Sequence, residues 1–195
     1  MVLLIAVALG LAGGLMRAKI TEGKMRMIEL QHLWLVFVAY IPQFFAFYFT
    51  PTQKLIPNKW IPFLLIVSQI FLLLFVWINR KVKGFWLLGL GLLCNFTAIV
   101  LNGGFMPMPP YAAQKLIPPD SNLVLELGER VGVGKDILLL IEDTNLWFLG
   151  DVLTLPMWMG TPLAFSFGDI LISMGAFWLL WELGRPQEKS MEASP

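Results

Sequence analysis

Two short segments of this sequence place an aspartate directly after a glycine in apolar surroundings. They are residues 148–153, FLGDVL, and residues 167–171, FGDIL. If Asp151 and Asp169 meet, the two carboxylates share one site and raise the pKa of one of them, which suits a cation site or a proton-coupled step. The alternative is structural, because an aspartate near the start of a helix caps free N–H groups. Both aspartates are candidate ligand-binding residues.

Uncharged polar residues also lie within the apolar stretches. The hydropathy pattern places Gln43, Gln69 and Asn95 between the middle of a membrane and its outer surface. Polar groups are costly at that depth, so they indicate either a polar pocket open to the outside or hydrogen bonds between helices. Together with the aspartates they predict an outward-facing site, in which acids supply charge and amides coordinate.

The run NGGFMPMPP at residues 102–110 ends one apolar stretch. Gly103 is a natural helix stop, and the prolines are expected to prevent a helix from resuming. Two successive glycines also expose backbone N–H groups that can form an anion-binding nest. Asn102, Gly103 and Gly104 are therefore candidates for holding a phosphate or a carboxylate.

Other motifs narrow the chemistry. His32 is the single histidine, so the Glu29-x-x-His32 pair cannot build a carboxylate-bridged two-metal site. An interfacial role for His32 is favoured over axial ligation of a haem. Cys94 is the single cysteine, which excludes an intrachain disulfide and a protein-held iron–sulfur cluster. Residues 128–135 look like a phosphate loop, but Asp136 follows the lysine where that motif has Ser or Thr. No catalytic residue, metal or cofactor is identified.

Membrane helices are the elements that must position these residues. The sequence is 57% hydrophobic and only 14% charged, whereas soluble domains carry about 25% charge. We predict an all-α polytopic transmembrane bundle, with a single domain over residues 1–185. Since a span needs about 20 apolar residues, five spans are expected at about 1–16, 30–49, 61–78, 85–101 and 163–183.

The basic residues of the predicted loops orient this bundle. They follow the first, third and last spans: Arg17, Lys19, Lys24, Arg26, Arg80, Lys81, Lys83, Arg185 and Lys189. The positive-inside rule then places the N-terminus outside and the C-terminus inside, with a disordered cytoplasmic tail at 186–195. The net charge of +1 argues against nucleic-acid binding.

An acidic outer loop is expected over residues 102–162. Within it, residues 137–160 are largely apolar but contain Glu142, Asp143 and Asp151. A sixth full span would carry these acids into lipid, so we predict an amphipathic or re-entrant outer helix instead.

Small residues form one face of the first predicted span. Ala6, Gly10 and Gly14 are spaced at i, i+4 and i+8, which lets another helix backbone approach closely. That helix belongs either to a partner protein or to this chain.

The order of several motifs resembles a group of small bacterial membrane proteins known only as a domain of unknown function. The motifs are Asn102-Gly103-Gly104 with Met106-Pro107, then Leu149-Gly150-Asp151, and finally Phe167-Gly168-Asp169. The resemblance covers nearly the whole chain. It implies a multi-pass protein of the bacterial inner membrane and brings no established activity.

Three functions compete at this point. The first is binding or transport of a small cation or polar solute through the outward-facing pocket. The second is a non-catalytic subunit of a larger membrane complex, which the small-residue face favours. The third is a membrane enzyme acting on a lipid-linked substrate, and the lack of a catalytic signature argues against it.

Overall fold

A computed structural model describes residues 2–21, 28–49, 51, 56–117, 125–132, 134–155 and 162–184. The structure is mostly helical, and the described residues form six α-helices and four short strands. The predicted tail at 186–195 lies outside the described residues.

Five long helices occupy the apolar stretches of the sequence. They are α1 (Val2–Ile20), α2 (Trp34–Phe47), α3 (Ile61–Ile78), α4 (Phe85–Leu101) and α6 (Phe167–Glu182). The bounds of α3 and α4 are those predicted. By length and composition, two helices are long and apolar enough to cross a membrane: α1, and α3 together with the preceding 3-10 turn (Asn58–Ile78). That all five cross it stays a prediction.

The long helices pack side by side in the order α1, α6, α4, α3, α2. Adjacent helices in this row are antiparallel, except that α1 and α6 are parallel. Gly14 of α1 lies against Leu180 near the end of α6, whereas Asn79 after α3 bonds Gln31 before α2. Helix direction therefore alternates along the chain, and α1, α3 and α6 end on the same side. We call that side the basic end, because Arg17, Lys19, Arg80, Lys81 and Lys83 lie there.

Glycines bring α4 and α6 close together. A Cβ on Gly91 would lie 2.5 Å from the carbonyl oxygen of Gly168. A Cβ on Gly168 would in turn overlap the side chain of Asn95. Close backbone contact of this kind is how helices associate when burial of apolar surface supplies little driving force.

The opposite end of the bundle is covered by the cap, which we define as the described residues between 102 and 165. Strand β1 (Met106–Met108) pairs in parallel with β2 (Asp136–Leu138), with Met106 opposite Asp136. Strands β3 (Leu153–Leu155) and β4 (Leu163–Phe165) pair antiparallel. A short helix, α5 (Pro110–Leu116), packs on this second pair.

The prediction of an amphipathic or re-entrant helix at 137–160 is wrong. Its described part, 137–155, contains most of β2, two 3-10 turns and β3, with no α-helix. One reason is that β1 offers free backbone groups, and residues 136–138 pair with them. Leu146 also adopts a positive φ of 49°, a conformation that interrupts a helix.

Two further expectations need correction. The prolines after Gly104 do not prevent a helix, since α5 begins at Pro110, where the missing N–H costs nothing. The last long helix begins at Phe167 rather than 163, because residues 163–165 pair with β3. The four strands also modify the all-α prediction.

Substituting Gly91 tests the close contact between α4 and α6. We expect Gly91→Ala to lower the free energy of unfolding by about 1–3 kcal/mol, because the added methyl meets a backbone atom. Gly134→Ala is the control, since its Cβ would meet atoms no closer than 3.5 Å. Thermal unfolding of both variants in detergent measures the difference. Equal melting temperatures would contradict the packing.

Candidate functional site

The start of α6 joins two predicted site residues. Ser166 is the N-cap, and its Oγ accepts the Asp169 N–H at 3.1 Å, while Asp169 Oδ2 accepts the Ser166 N–H at 3.1 Å. Asn95 of α4 donates from Nδ2 to Asp169 Oδ1 at 2.9 Å and accepts the Ser166 hydroxyl at 2.9 Å. The structural alternative for Asp169 is confirmed: it completes a capping box. The same bonds attach α6 to α4.

Asp151 is held in the cap by its backbone. Its N–H donates to the carbonyl oxygen of Pro107 at 2.9 Å, next to strand β1. Glycine is required before it, because a Cβ on Gly150 would lie 2.5 Å from that same oxygen. The Asp151 side chain is only 3% exposed, and its Oδ1 has no hydrogen-bond partner among the described residues.

Lys135 brings the acids to one place. Its carbonyl oxygen accepts the N–H of Met106 at 3.0 Å, directly before the β1–β2 pairing. Its Nζ donates to Asp151 Oδ2 at 2.8 Å and lies 3.5 Å from Asp136 Oδ1. Asp169 is near enough to act electrostatically on both Lys135 and Asp151. We call Lys135, Asp136, Asp151 and Asp169 the Lys135 cluster.

Burial and charge set the protonation of this cluster. Burial raises the pKa of Asp151 to about 7 from 3.8; Lys135 opposes the shift, and Asp136 and Asp169 add to it. Burial lowers the pKa of Lys135, but the surrounding carboxylates, Asp151 foremost, outweigh burial and raise it above its ordinary value. These shifts favour a charged ammonium on Lys135 and a proton on Asp151 that is retained to higher pH than on an ordinary aspartate.

The other predicted site residues lie elsewhere. Asn102 uses its side chain within the chain: Oδ1 accepts the Asn145 N–H at 2.9 Å, and Nδ2 donates to the carbonyl oxygens of Ala98 and Asn145. The Gly104 N–H donates to Ile99 at the end of α4, and Gly103 and Gly104 have the positive φ of a helix C-cap. These groups are already partnered, and the anion nest stays a prediction.

Gln43 and Gln69 are not brought to the cluster. Gln43 lies on α2 and Gln69 on α3, and no hydrogen bond joins either to the cluster in the described part of the chain. Gln69 Oε1 is buried without a hydrogen-bond partner there. Of the predicted ligand-binding residues, Asp151, Asp169 and Asn95 lie at or beside the Lys135 cluster, and the others lie elsewhere.

Sequence reasoning missed Lys135, Asp136 and Ser166 as site residues. Lys135 ends the glycine-containing run that resembles a phosphate loop, which drew attention to the wrong chemistry. A usable signal was present, because residues 102–162 hold seven acids and only three basic residues. A basic side chain among so many acids is expected to pair with one of them.

Metal ligation finds no support in the described residues. They contain no group of three or more His, Cys, Asp or Glu side chains arranged to hold a metal ion. His32 stands before α2, where it accepts a 3.4 Å hydrogen bond from Trp34 Nε1.

Comparison with known proteins identifies a family. A family model described as "Family of unknown function (DUF5317)" matches residues 27–181. The chain belongs to this family. Membership confirms the resemblance inferred from the motif order, and the matched region contains α2, α3, α4, the cap and nearly all of α6. No curated protein and no solved structure matches the chain.

The small-residue face of α1, which precedes the matched region, contacts this chain itself. Gly10 and Gly14 lie against Phe177 and Leu180 of α6, while Ala6 lines a groove between these helices. Association with a partner protein through this face stays a prediction.

Removing the ammonium tests the Lys135 cluster. We expect Lys135→Met to lower the free energy of unfolding by about 2 kcal/mol, because a buried carboxylate loses its partner. The loss should grow as pH rises above about 7, where Asp151 is ionised. Denaturant unfolding in detergent at several pH values measures it. Lys115→Met is the control, since Lys115 bonds Thr154 at the exposed surface of the cap. Equal losses in the two variants would contradict a stabilising ion pair between Lys135 and Asp151.

Proposed function

We propose that this chain is a five-span membrane protein that binds a proton at the capped end of its bundle. The proton is the small cation of a binding or transport step, and Asp151 takes it up. Asp151 lies outside the long helices, in a cap that we assign to the external side of a bacterial cytoplasmic membrane.

The distribution of charge and apolar surface supports membrane insertion. The outward faces of the helices carry exposed apolar side chains such as Leu4, Phe37, Phe63 and Trp86. Basic residues lie at the end opposite the cap, as the positive-inside rule requires of a cytoplasmic side. The alternating helix directions agree with five crossings.

One observation carries the proton assignment. Asp151 is almost completely buried, one of its oxygens bonds Lys135 at 2.8 Å, and the other has no hydrogen-bond partner among the described residues. A buried carboxylate in that condition is costly when ionised. With Asp136 and Asp169 competing for the same ammonium, neutralising Asp151 removes repulsion and leaves Lys135 two other carboxylates.

A proton suits this place better than a metal ion or a solute. The ammonium of Lys135 already occupies the position between the carboxylates that a bound cation would take. None of the larger cavities among the described residues is lined by Lys135, Asp151 or Asp169. Proton binding needs neither a cavity nor further ligands.

The position of the cluster gives protonation a mechanical consequence. Lys135, Asp136 and Asp151 belong to the cap, whereas Asp169 belongs to α6 and is bonded through Asn95 to α4. When Asp151 is ionised, it holds Lys135 within the cap. When Asp151 is neutral, the remaining attraction on Lys135 comes from Asp136, 3.5 Å away, and at longer range from Asp169. Protonation thus raises the share of the attraction that acts between cap and bundle.

The other two readings have less support. The subunit hypothesis drew on the face of Ala6, Gly10 and Gly14, which α6 contacts in this chain. The enzyme hypothesis has less support because none of the larger cavities among the described residues reaches the acids of the cluster.

Substitution of Asp151 tests the proton site. Infrared titration of the purified full chain over about pH 5 to 9, which brackets about 7, should show a carboxylic-acid band lost as pH rises. Asp151→Asn should remove that band, and Asp143→Asn, at an exposed acid of the same cap, should keep it. In reconstituted vesicles, proton uptake that stops in Asp151→Asn but continues in Asp143→Asn would add transport to binding. A band unchanged in Asp151→Asn would refute the site.

A reporter fused after Pro195 tests the crossings independently. Five spans with the cap outside place this end in the cytoplasm, so a cytoplasm-active reporter should work and a periplasm-active reporter should not. A second fusion, after Leu116 in the cap, should give the opposite pattern. The same pattern from both positions would contradict the proposed topology.

A further inference from the structure

An apolar groove runs between α3 and α4 on the outer surface of the bundle. Its volume is about 550 Å³. Leucine and isoleucine side chains line it: Ile70, Leu73 and Leu74 from α3, and Leu90 and Leu93 from α4. Gly89 supplies no side chain where α4 approaches Val76, which leaves the groove open. Its walls and width suit a hydrocarbon chain.

The groove ends at a cation on the basic end of the bundle. Arg80 follows α3, and its guanidinium lies 4.6 Å from the centroid of the Trp77 ring. One of its Nη atoms donates to the Trp77 carbonyl oxygen at 2.9 Å. Arg80 is exposed and has no carboxylate partner among the described residues, so most of its donors face outward. Trp77 and Trp86 flank it, both largely exposed.

We infer that this groove binds an anionic phospholipid. One acyl chain lies between α3 and α4, and the phosphate of the head group binds the Arg80 guanidinium. Arginine presents a planar set of N–H donors that matches phosphate oxygens, and tryptophan is typical of the depth at which head groups meet hydrocarbon. The inference rests on the proposed membrane insertion, in which the basic end contacts the cytoplasmic leaflet. In membrane proteins, basic sites between helices on that side bind anionic head groups.

A second groove in the same structure provides an internal contrast. It lies between α1 and α6, has a volume of about 530 Å³, and is likewise lined by apolar side chains. No charged residue lines it, and the nearest guanidinium shown, that of Arg17, lies over the Trp181 ring at 5.6 Å from its centroid. Both grooves accept a hydrocarbon chain, but only the groove between α3 and α4 has a charged side chain in its lining.

Lipid binding to the purified full chain tests this inference. Native mass spectrometry in detergent counts bound phosphatidylglycerol and phosphatidylcholine with identical acyl chains. We expect the wild-type protein to prefer phosphatidylglycerol, and Arg80→Gln to reduce that preference about fivefold. Lys19→Gln is the matched control, because it removes one positive charge from the same end of the bundle on α1. Leu93→Trp, which fills the groove at an exposed position, should displace lipid of both kinds.

Three results would overturn the inference. An unchanged preference in Arg80→Gln would show that Arg80 does not select the head group, and an equal reduction in Lys19→Gln would show a response to general charge. The third is unchanged lipid binding in Leu93→Trp. None of these lipid-binding results depends on which side of the membrane the basic end faces. A failed topology prediction and a failed lipid prediction are therefore distinguishable. Loss of the Asp151 infrared signal also leaves the lipid result unaffected.

Discussion

Asparagine side chains pair with backbone just after α3 and α4, and these pairs attach distant segments of the chain to the ends of the two helices. Buried backbone groups need hydrogen-bond partners within the chain, and both asparagines are buried. Asn79 after α3 makes two bonds to the backbone of Gln31. Asn102 after α4 makes the same two bonds to Asn145. Each side-chain amide donates one hydrogen bond to a backbone carbonyl and accepts one from the N–H of the same residue, as a paired residue of a β-strand does.

The Lys135 cluster depends on three attachments, of which one is an asparagine–backbone pair. The Asn102–Asn145 pair holds the turn that precedes Asp151. Asn95 holds Asp169 at the start of α6, and the β1–β2 register holds Lys135. These attachments come from distant parts of the sequence. The four charged side chains are therefore positioned by contacts other than their attraction for one another. Their mutual effect is strong, because little water reaches Asp151 to screen it.

The sequence predicted the long helices and part of the site, for different physical reasons. Apolar runs bounded by basic residues or glycine determine α3 and α4 locally. Asn95 and Asp169 were predicted because polar groups at membrane depth require partners, and Asp151 because its Gly-Asp segment matches the one at Asp169. Strand β2 was not predictable from periodicity, since its partner β1 lies thirty residues earlier and three-residue strands carry no pattern. Lys135 was missed for a related reason: its role arises from Asp151, which belongs to a different turn.

The pairing of α1 with α6 has a consequence for how the protein is made. These are the first and last long helices described, and α1 packs chiefly on α6. During synthesis α1 leaves the ribosome long before its neighbour exists, so Gly10 and Gly14 lack their packing partner until α6 has been made. The Lys135 cluster also waits for Asp169 on α6. The arrival of α6 therefore does two things at once: it closes the row at α1 and completes the charged site.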